Sequence, residues 1–593
     1  MAKAAKLSAL MDMDDLRALP GEFLATFLPS NVIAKGYPWW TPAGDTGAFC
    51  VLFFDNLATQ LSLVGMAIYV IGIPAEFVWK NFLGGVGVSI FIGNLYYSLQ
   101  ASKVAMRTGK MDTCAQPYGI NTPGAIVKTF GVLLPAFFGE LAKYGENPTP
   151  DDRMEAARVA WSIACCANFL GSLVEVAGAF IAPVLARNVP QGALLVSIGG
   201  VGMTYLGVGP IAAILESHEA HNPIVGFLPF LIIFVGFYGT RDKFCGKHIP
   251  TVGIAVLVGF LLNLLAQTAQ WEKYSDKIDK ATTFVGWNGL SVPDFSHMST
   301  AATEYSSIVI GLAMQNFLGT YACNISARRV GDRYSPMESM IVDGLGSMIG
   351  ALLGSPYGTT VYIGHVVYKP MGATRGYSLL NGFLWLVFGL FGFHAVIDAI
   401  LPHEIFGGVL VVIGFAMASQ TIESVPKRWY PATLIGLAIM FSEFIVGGMS
   451  SPNIGMRFLA SGHIFISLFY TFFLMMLTDR WFLAASGIFI CLFVFSFVGL
   501  IHAEKLSVEY DQFGSIKDQS AYFEQESSGM PGWKFLVTYA VSAAFCAILH
   551  LLQRWGFVEA AEEEDYRLLQ LAAEKEEETV VHTAEHGAKV AEL

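Results

Sequence analysis

Gln116-Pro-Tyr-Gly-Ile-Asn-Thr-Pro-Gly124 and Ser355-Pro-Tyr-Gly-Thr-Thr360 decide the fold. Both stretches sit inside long apolar runs, about 240 residues apart, and share Pro-Tyr-Gly. Proline removes a backbone donor and glycine loosens the chain, so each stretch interrupts a helix. Lipid does not tolerate the freed polar groups; a protein-lined or water-lined cavity does. Two such interruptions at matching places in two halves of a chain point to a mid-membrane binding site. The stretches 113–121 and 355–361 are expected to be extended, with helices from Thr122 and Thr359 aiming positive N-terminal ends at a solute.

The flanking sequence supports a membrane chain. Of the 593 residues, 54% are hydrophobic and 14% are charged, with a mean hydropathy of +0.53. Soluble chains average roughly 25% charged residues. Apolar runs fall near 48–74, 80–102, 113–141, 157–187, 190–212, 222–240 and 249–267. After a polar stretch they resume near 304–323, 336–353, 354–368, 376–400, 402–424, 429–447 and 461–478. Two more follow near 481–501 and 533–555. The runs are continuous rather than alternating, so the spans are helices. The fold class is an all-α polytopic membrane protein with seven plus seven spans and about two extra C-terminal helices.

Basic residues follow the even-numbered spans: Lys103, Arg107 and Lys110; Arg241, Lys243 and Lys247; Arg328, Arg329 and Arg333; Lys369 and Arg375; Lys427 and Arg428. The positive-inside rule places those ends and both termini in the cytoplasm, with Arg457 as an exception. Much of the net charge of −12 lies in an acidic tail over 557–593, expected to be cytosolic. Residues 1–47 form a cytoplasmic N-terminal segment with no cleavable signal peptide. The plasma membrane is the expected location. Nothing in the charge pattern suggests nucleic acid.

Further pairs link the halves. Gly192, Leu195, Ile198 and Gly199 in span 5 match Gly407, Leu410, Ile413 and Gly414 in span 12. Asp55-Asn56 in span 1 matches Gln315-Asn316 in span 8, and Gly85/Gly87 in span 2 matches Gly344/Gly346 in span 9. Each half has an odd number of spans, so the second is inverted relative to the first, as in many transporters.

Candidate site residues cluster at the breaks. Tyr118 and Tyr357 either stack on a planar ligand or fill the kinks. Asn121, Gly358, Thr359 and Thr360 belong to the broken segments. Asn56, Gln315 and Asn316 are amides in apolar helices, which either join helices or meet a ligand; Asn316 is taken as a ligand contact, because an amide offers both a donor and an acceptor. Asp55, Glu175, Asp343 and Asp398 are intramembrane carboxylates, functional by default. Asp55 and His365 are the candidate seats of a coupling ion; Lys369 is expected to snorkel to the cytoplasm. Glu216-Ser-His-Glu-Ala-His221 has its histidines three apart, which is not the zinc-protease spacing, and reads as a surface loop. No metal site is assigned. The eight cysteines contain no C-x-x-C pair.

Met314-Gln-Asn-Phe-Leu-Gly-Thr-Tyr-Ala-Cys323, Val342-Asp-Gly-Leu-Gly-Ser-Met-Ile-Gly-Ala-Leu-Leu-Gly-Ser355 and Gly358-Thr-Thr resemble the nucleobase–ascorbate transporter (xanthine/uracil permease) superfamily. The Asp-Gly-Leu-Gly stretch also resembles its adenine/guanine/hypoxanthine permease branch. The likeness runs over about 48–478, densest in spans 8–10. It implies fourteen helices in two inverted repeats, a core of spans 1–4 and 8–11, a gate of spans 5–7 and 12–14, and substrate between spans 3 and 10. The family's acid in span 8 falls at Asn316, and its second acid or glutamine in span 10 falls near Ile363 and Gly364, so both acids are absent. The residues 479–556 lie outside the likeness.

The expected function is secondary transport of a nucleobase, purine over uracil, as a symporter with elevator-type alternating access. The alternative is small-anion transport on the same scaffold; a membrane enzyme or receptor lacks a nucleophile–base set. No cofactor is expected beyond a coupling ion, H+ or Na+. The expected partners are a small-molecule substrate, the bilayer and a second copy in a homodimer.

Overall fold

The computed structural model describes residues 13–561 apart from 146, 216–221, 241–242, 245–246, 249–250, 268–270, 363, 402–403, 449–453, 461, 498–500, 503–508, 511–515 and 518–532. The Glu216–His221 motif and most of the acidic tail lie outside the described residues.

The chain is a polytopic bundle of helices: among the described residues seven are long and apolar enough to cross a membrane, eight if a bent pair is counted as one span, and shorter apolar helices pack with them. Apolar residues run all round most helices, as required of segments solvated by lipid and by each other. Span 1 is Pro42–Gly65 and closes in a π turn over Met66–Val70. Span 2 is Leu83–Thr108, ended by Gly109 in the left-handed region. Span 4 is one continuous helix, Pro150–Asn188. In the second set, span 8 is Ser306–Arg329 and span 9 is Pro336–Leu352, whose first turn is capped by Ser335 on the Glu338 N–H. The two extra helices are Phe482–Phe497 and Trp533–Arg554.

Span 11 departs from expectation. It runs as Gly376–Phe391, then bends by 96° into Phe393–Ile400. Gly392, at a φ of +71°, makes the corner. The polar stretch before span 8 contains a helix over Trp271–Thr282.

Small residues set the helix spacing, as they do where lipid offers no hydrophobic drive for association. A side chain on Gly87 of span 2 would meet the Trp385 carbonyl at 2.5 Å, and Gly389 of span 11 packs against Gly87. Spans 1–4 and 8–11 pack around the two breaks, while spans 5–7 and 12–14 pack mainly on one another. The N-terminal helix Met13–Thr26 lies on spans 2 and 9. There Glu22 meets Arg107 at 2.8 Å and Lys103 at 3.3 Å, and Lys103 meets the buried Glu338 at 2.8 Å. Arg457, the exception to the charge rule, is 1% exposed and is not a loop charge.

Candidate functional site

The two interrupted stretches meet as a pair of three-residue strands, β1 (Tyr118–Ile120) and β2 (Thr359–Val361). They run antiparallel, with Tyr118 opposite Val361, Gly119 opposite Thr360 and Ile120 opposite Thr359. An antiparallel pairing of equivalent segments is what a two-fold axis in the membrane plane produces.

Three residues of ladder leave backbone groups over, and neighbouring spans take them up. Asn56 of span 1 accepts from the Ile120 N–H at 2.9 Å and from the Tyr362 hydroxyl at 3.0 Å. Asn94 of span 2 donates to the Tyr118 carbonyl at 2.9 Å. Asn168 of span 4 donates to the carbonyls of Ser355 at 3.1 Å and Tyr357 at 2.9 Å. Asp343 of span 9 accepts from Thr320 at 2.6 Å, from Thr360 at 3.1 Å, from the Val361 N–H at 3.0 Å and from the Tyr97 hydroxyl. Asp343 therefore holds β2 in place.

The breaks then diverge. After β1, Asn121 caps a helix over Thr122–Lys128, its side chain accepting from the Gly124 N–H at 3.2 Å. After β2 no long helix begins at Thr359: the strand gives way to a four-residue helix, His365–Tyr368. Among the described residues, only the first break sends a sustained helix from its end.

A cavity opens at that N-cap. Its polar edge is Asn121, Lys128, Asn168, Glu175, Asn316 and Gly358, and Val309, Leu312 and Ala313 form an apolar wall. About 30 Å³ of it is open to the centre of a water-sized sphere. A water needs roughly 10–15 Å³ on that measure, so two or three fit. Across the cavity runs a chain of side chains. Asn121 donates to Asn316 at 2.9 Å, and Asn316 donates to the Glu175 carboxylate at 2.7 Å. Opposite, the Lys128 ammonium donates to Asn168 at 2.8 Å. Lys128 is 8% exposed and Glu175 is 2% exposed.

Of the residues expected at the site, Asn316, Asn121 and Gly358 line this cavity. Asn56 sits behind β1. Gln315 is buried off the cavity edge, its carbonyl oxygen without a hydrogen bond. Neither tyrosine presents a ring to the cavity. Tyr118 is buried on Tyr97, its hydroxyl 2.6 Å from Thr359. Tyr357 lies edge-on to Phe82, its hydroxyl 3.4 Å from Thr129. Thr359 faces Ser89 at 2.6 Å, and Thr360 faces Asp343. Asp55 is 5% exposed, and its carboxylate makes no hydrogen bond among the described residues.

His365 belongs to a different cluster. Its Nε2 lies 2.9 Å from Asp332, which also accepts from Lys369 at 2.9 Å and from the Cys114 N–H at 2.9 Å. Burial alone would raise the Asp332 carboxyl; His365, Lys369 and the Cys114 N–H outweigh it and hold it below the usual carboxylate range. Lys369 pairs with the buried Asp332 and also with the exposed Asp112 at 3.1 Å.

Lys128 and Asn168 escaped the sequence reading. Lys128 carried a signal, a lone cation inside an apolar run; Asn168 carried none, because an amide in span 4 looks like any helix-joining amide. Asn316 of span 8 and Glu175 of span 4 meet only in the folded chain.

No family model and no curated protein matches the sequence. Solved structures that are similar to it include three. The transmembrane domain of a cyanobacterium bicarbonate transporter, BicA, is 13% identical with a TM-score of 0.42, covering 72% of this chain and 96% of that one. SLC26A9 is 12% identical with a TM-score of 0.45, covering 73% and 66%. The murine solute carrier 26 family member A9, an anion transporter in the inward-facing state, is 11% identical with a TM-score of 0.44, covering 74% and 68%. The fold itself stands on this chain's paired breaks and packing.

Proposed function

We propose that the chain is a secondary transporter of nucleobases, with purines (xanthine, hypoxanthine, guanine, adenine) favoured over uracil. One observation carries the reading: a carboxylate and two amides converge on one cavity at the paired breaks, with an ammonium on its other side. Glu175 and the Asn316 amide offer an acceptor to a ring N–H, and Asn121 and Lys128 offer donors to a ring carbonyl. The cavity carries one charge of each sign, which suits a polar solute with no net charge.

Every lining residue belongs to spans 3, 4, 8 and 9 or to the break of span 10. All lie in the group packed around the breaks. Elevator-type movement of that group against spans 5–7 and 12–14 would carry the site intact. A fused ring needs more room than two or three waters, so the walls must part to admit it.

A second reading, transport of a small anion, is favoured by the small cavity and by Lys128. Proteoliposomes holding the full chain, offered labelled hypoxanthine, xanthine, uracil, chloride, sulfate and bicarbonate, separate the two. Saturable hypoxanthine or xanthine uptake that guanine competes supports the first. Uptake of anions alone moves the conclusion to the second. Uptake of none sinks both.

A further inference from the structure

We propose that Glu175 is a proton-binding site that holds the charge of the cavity at zero, so that an anionic cargo crosses with one proton and no net current. The proposal rests on the transporter reading, but not on which cargo is carried.

Lys128 and Glu175 line the same small cavity, yet no ion pair joins them among the described residues. Each is held instead by one amide, Lys128 by Asn168 and Glu175 by Asn316. Amides orient charges without cancelling them. A single uncompensated charge in hydrocarbon is expensive, and a site that carries one does not cross readily. With both groups ionised the empty cavity is neutral and free to return. A neutral cargo leaves that balance untouched. An anion, drawn in by Lys128, adds one negative charge. A proton from water on the loading side then forms an O–H bond on Glu175, and neutrality returns; the same proton leaves to water on the other side. Nothing is oxidised or reduced.

Glu175 is the group suited to this. Among the described residues only its Oε1 is engaged, by Asn316, so Oε2 is left for a proton. The titratable groups that face it are Lys128 of span 3, Asp343 of span 9 and Tyr118 of β1. Both oxygens of Asp343 are occupied by donors, and Asp343 does not line the cavity. Tyr118 is turned to Thr359. Asp55 and His365 lie off the cavity, and His365 is tied to Asp332.

The test uses the full chain and Glu175→Gln in proteoliposomes. The substituted amide has the same shape as the carboxylate and still accepts from Asn316, so a monodisperse variant is a fair comparison. The first measurement needs no cargo. Infrared difference spectra between neutral and acidic pH should show a protonated-carboxyl band in the parent that is missing in Glu175→Gln; an unchanged band overturns the proposal. The second uses whichever cargo of the panel above is transported. Uptake of an anion should rise up to tenfold per unit of external acidification, without current, whereas uptake of a neutral base should ignore pH. In Glu175→Gln the empty site keeps the Lys128 charge, so net anion uptake should be lost while anion exchange persists. Anion uptake that carries current, or that stays acid-driven in Glu175→Gln, overturns the proposal. If no solute of the panel moves, the transport reading has failed, and the infrared measurement alone decides Glu175.

Discussion

Asn168→Ala should unfold the site from within. The side chain does two jobs at once: it accepts from the Lys128 ammonium at 2.8 Å and donates to the Ser355 and Tyr357 carbonyls at 3.1 and 2.9 Å. A hydrogen bond to a charged group is worth roughly 1.5–3 kcal/mol, and each neutral one roughly 0.5–1.5 kcal/mol. Losing all three sums to about 2.5–6 kcal/mol. Lys128→Met behaves differently. It leaves one acceptor of Asn168 unmet, but it also removes a buried ammonium whose desolvation costs several kcal/mol, so its net effect is small. The two substitutions should therefore be strongly non-additive. Unfolding free energies of the parent, both single variants and the double variant, measured by steric trapping in bicelles, should give a coupling of about 1.5–3 kcal/mol. Additivity within about 0.5 kcal/mol would mean that Asn168 is not the partner of Lys128 and would refute this account of the cavity.

Three further outcomes can be checked. Gly119→Ala drives a Cβ into Asn56 Oδ1 between two pinned strands; it should lower detergent thermal stability by the equivalent of about 1–3 kcal/mol or more and abolish uptake. Tyr357→Phe should keep uptake and lose less than about 1 kcal/mol, since its hydroxyl contact of 3.4 Å is marginal, whereas Asn316→Ala breaks the chain from Asn121 to Glu175 and should abolish uptake in a folded protein. Asp332→Asn removes the partner of His365 and Lys369 and should destabilise by about 3–5 kcal/mol at neutral pH. The native Asp332 carboxyl titrates below its unfolded value, so its contribution is full above about pH 4 and disappears as pH falls through the native value. Parent and variant should thus differ at pH 7 and converge in strong acid; a constant difference would remove the charge from the explanation.

The breaks were legible because proline and glycine inside an apolar run have few uses, and the same triplet in both halves is hard to explain otherwise. Asn121 and Asn316 were legible for a related reason: amides beside a break are costly to bury without work. The roles of Tyr118 and Tyr357 were not. A tyrosine at a kink has the same letter whether its ring faces a ligand or fills the space beneath Gly93, where a side chain would collide with Tyr118. Glu175 was visible as an intramembrane acid, but its partner was not, because span 4 meets span 8 only in three dimensions. The helix expected from Thr359 failed on local chemistry. Thr359, Thr360 and Val361 are β-branched and satisfy their backbone against β1 and Asp343, so extension wins there.

That asymmetry bears on charge selection. Two opposed helix N-termini at a cavity would favour an anion whatever the side chains did, since each end carries roughly half a positive charge. Here the first break supplies a capped helix, and part of its end is already used by Asn121 on Gly124. The second break supplies a strand whose leading N–H groups go to Ser347 and Asp343, and its short helix starts at His365, which is tied to Asp332. Backbone electrostatics are therefore weak and one-sided. The sign of charge the cavity accepts falls to the side chains, one ammonium and one carboxylate held apart by amides. A cavity arranged this way is nearly indifferent to charge when Glu175 is ionised and prefers an anion when Glu175 is protonated, so the protonation state of one residue in span 4 sets what the two breaks can hold.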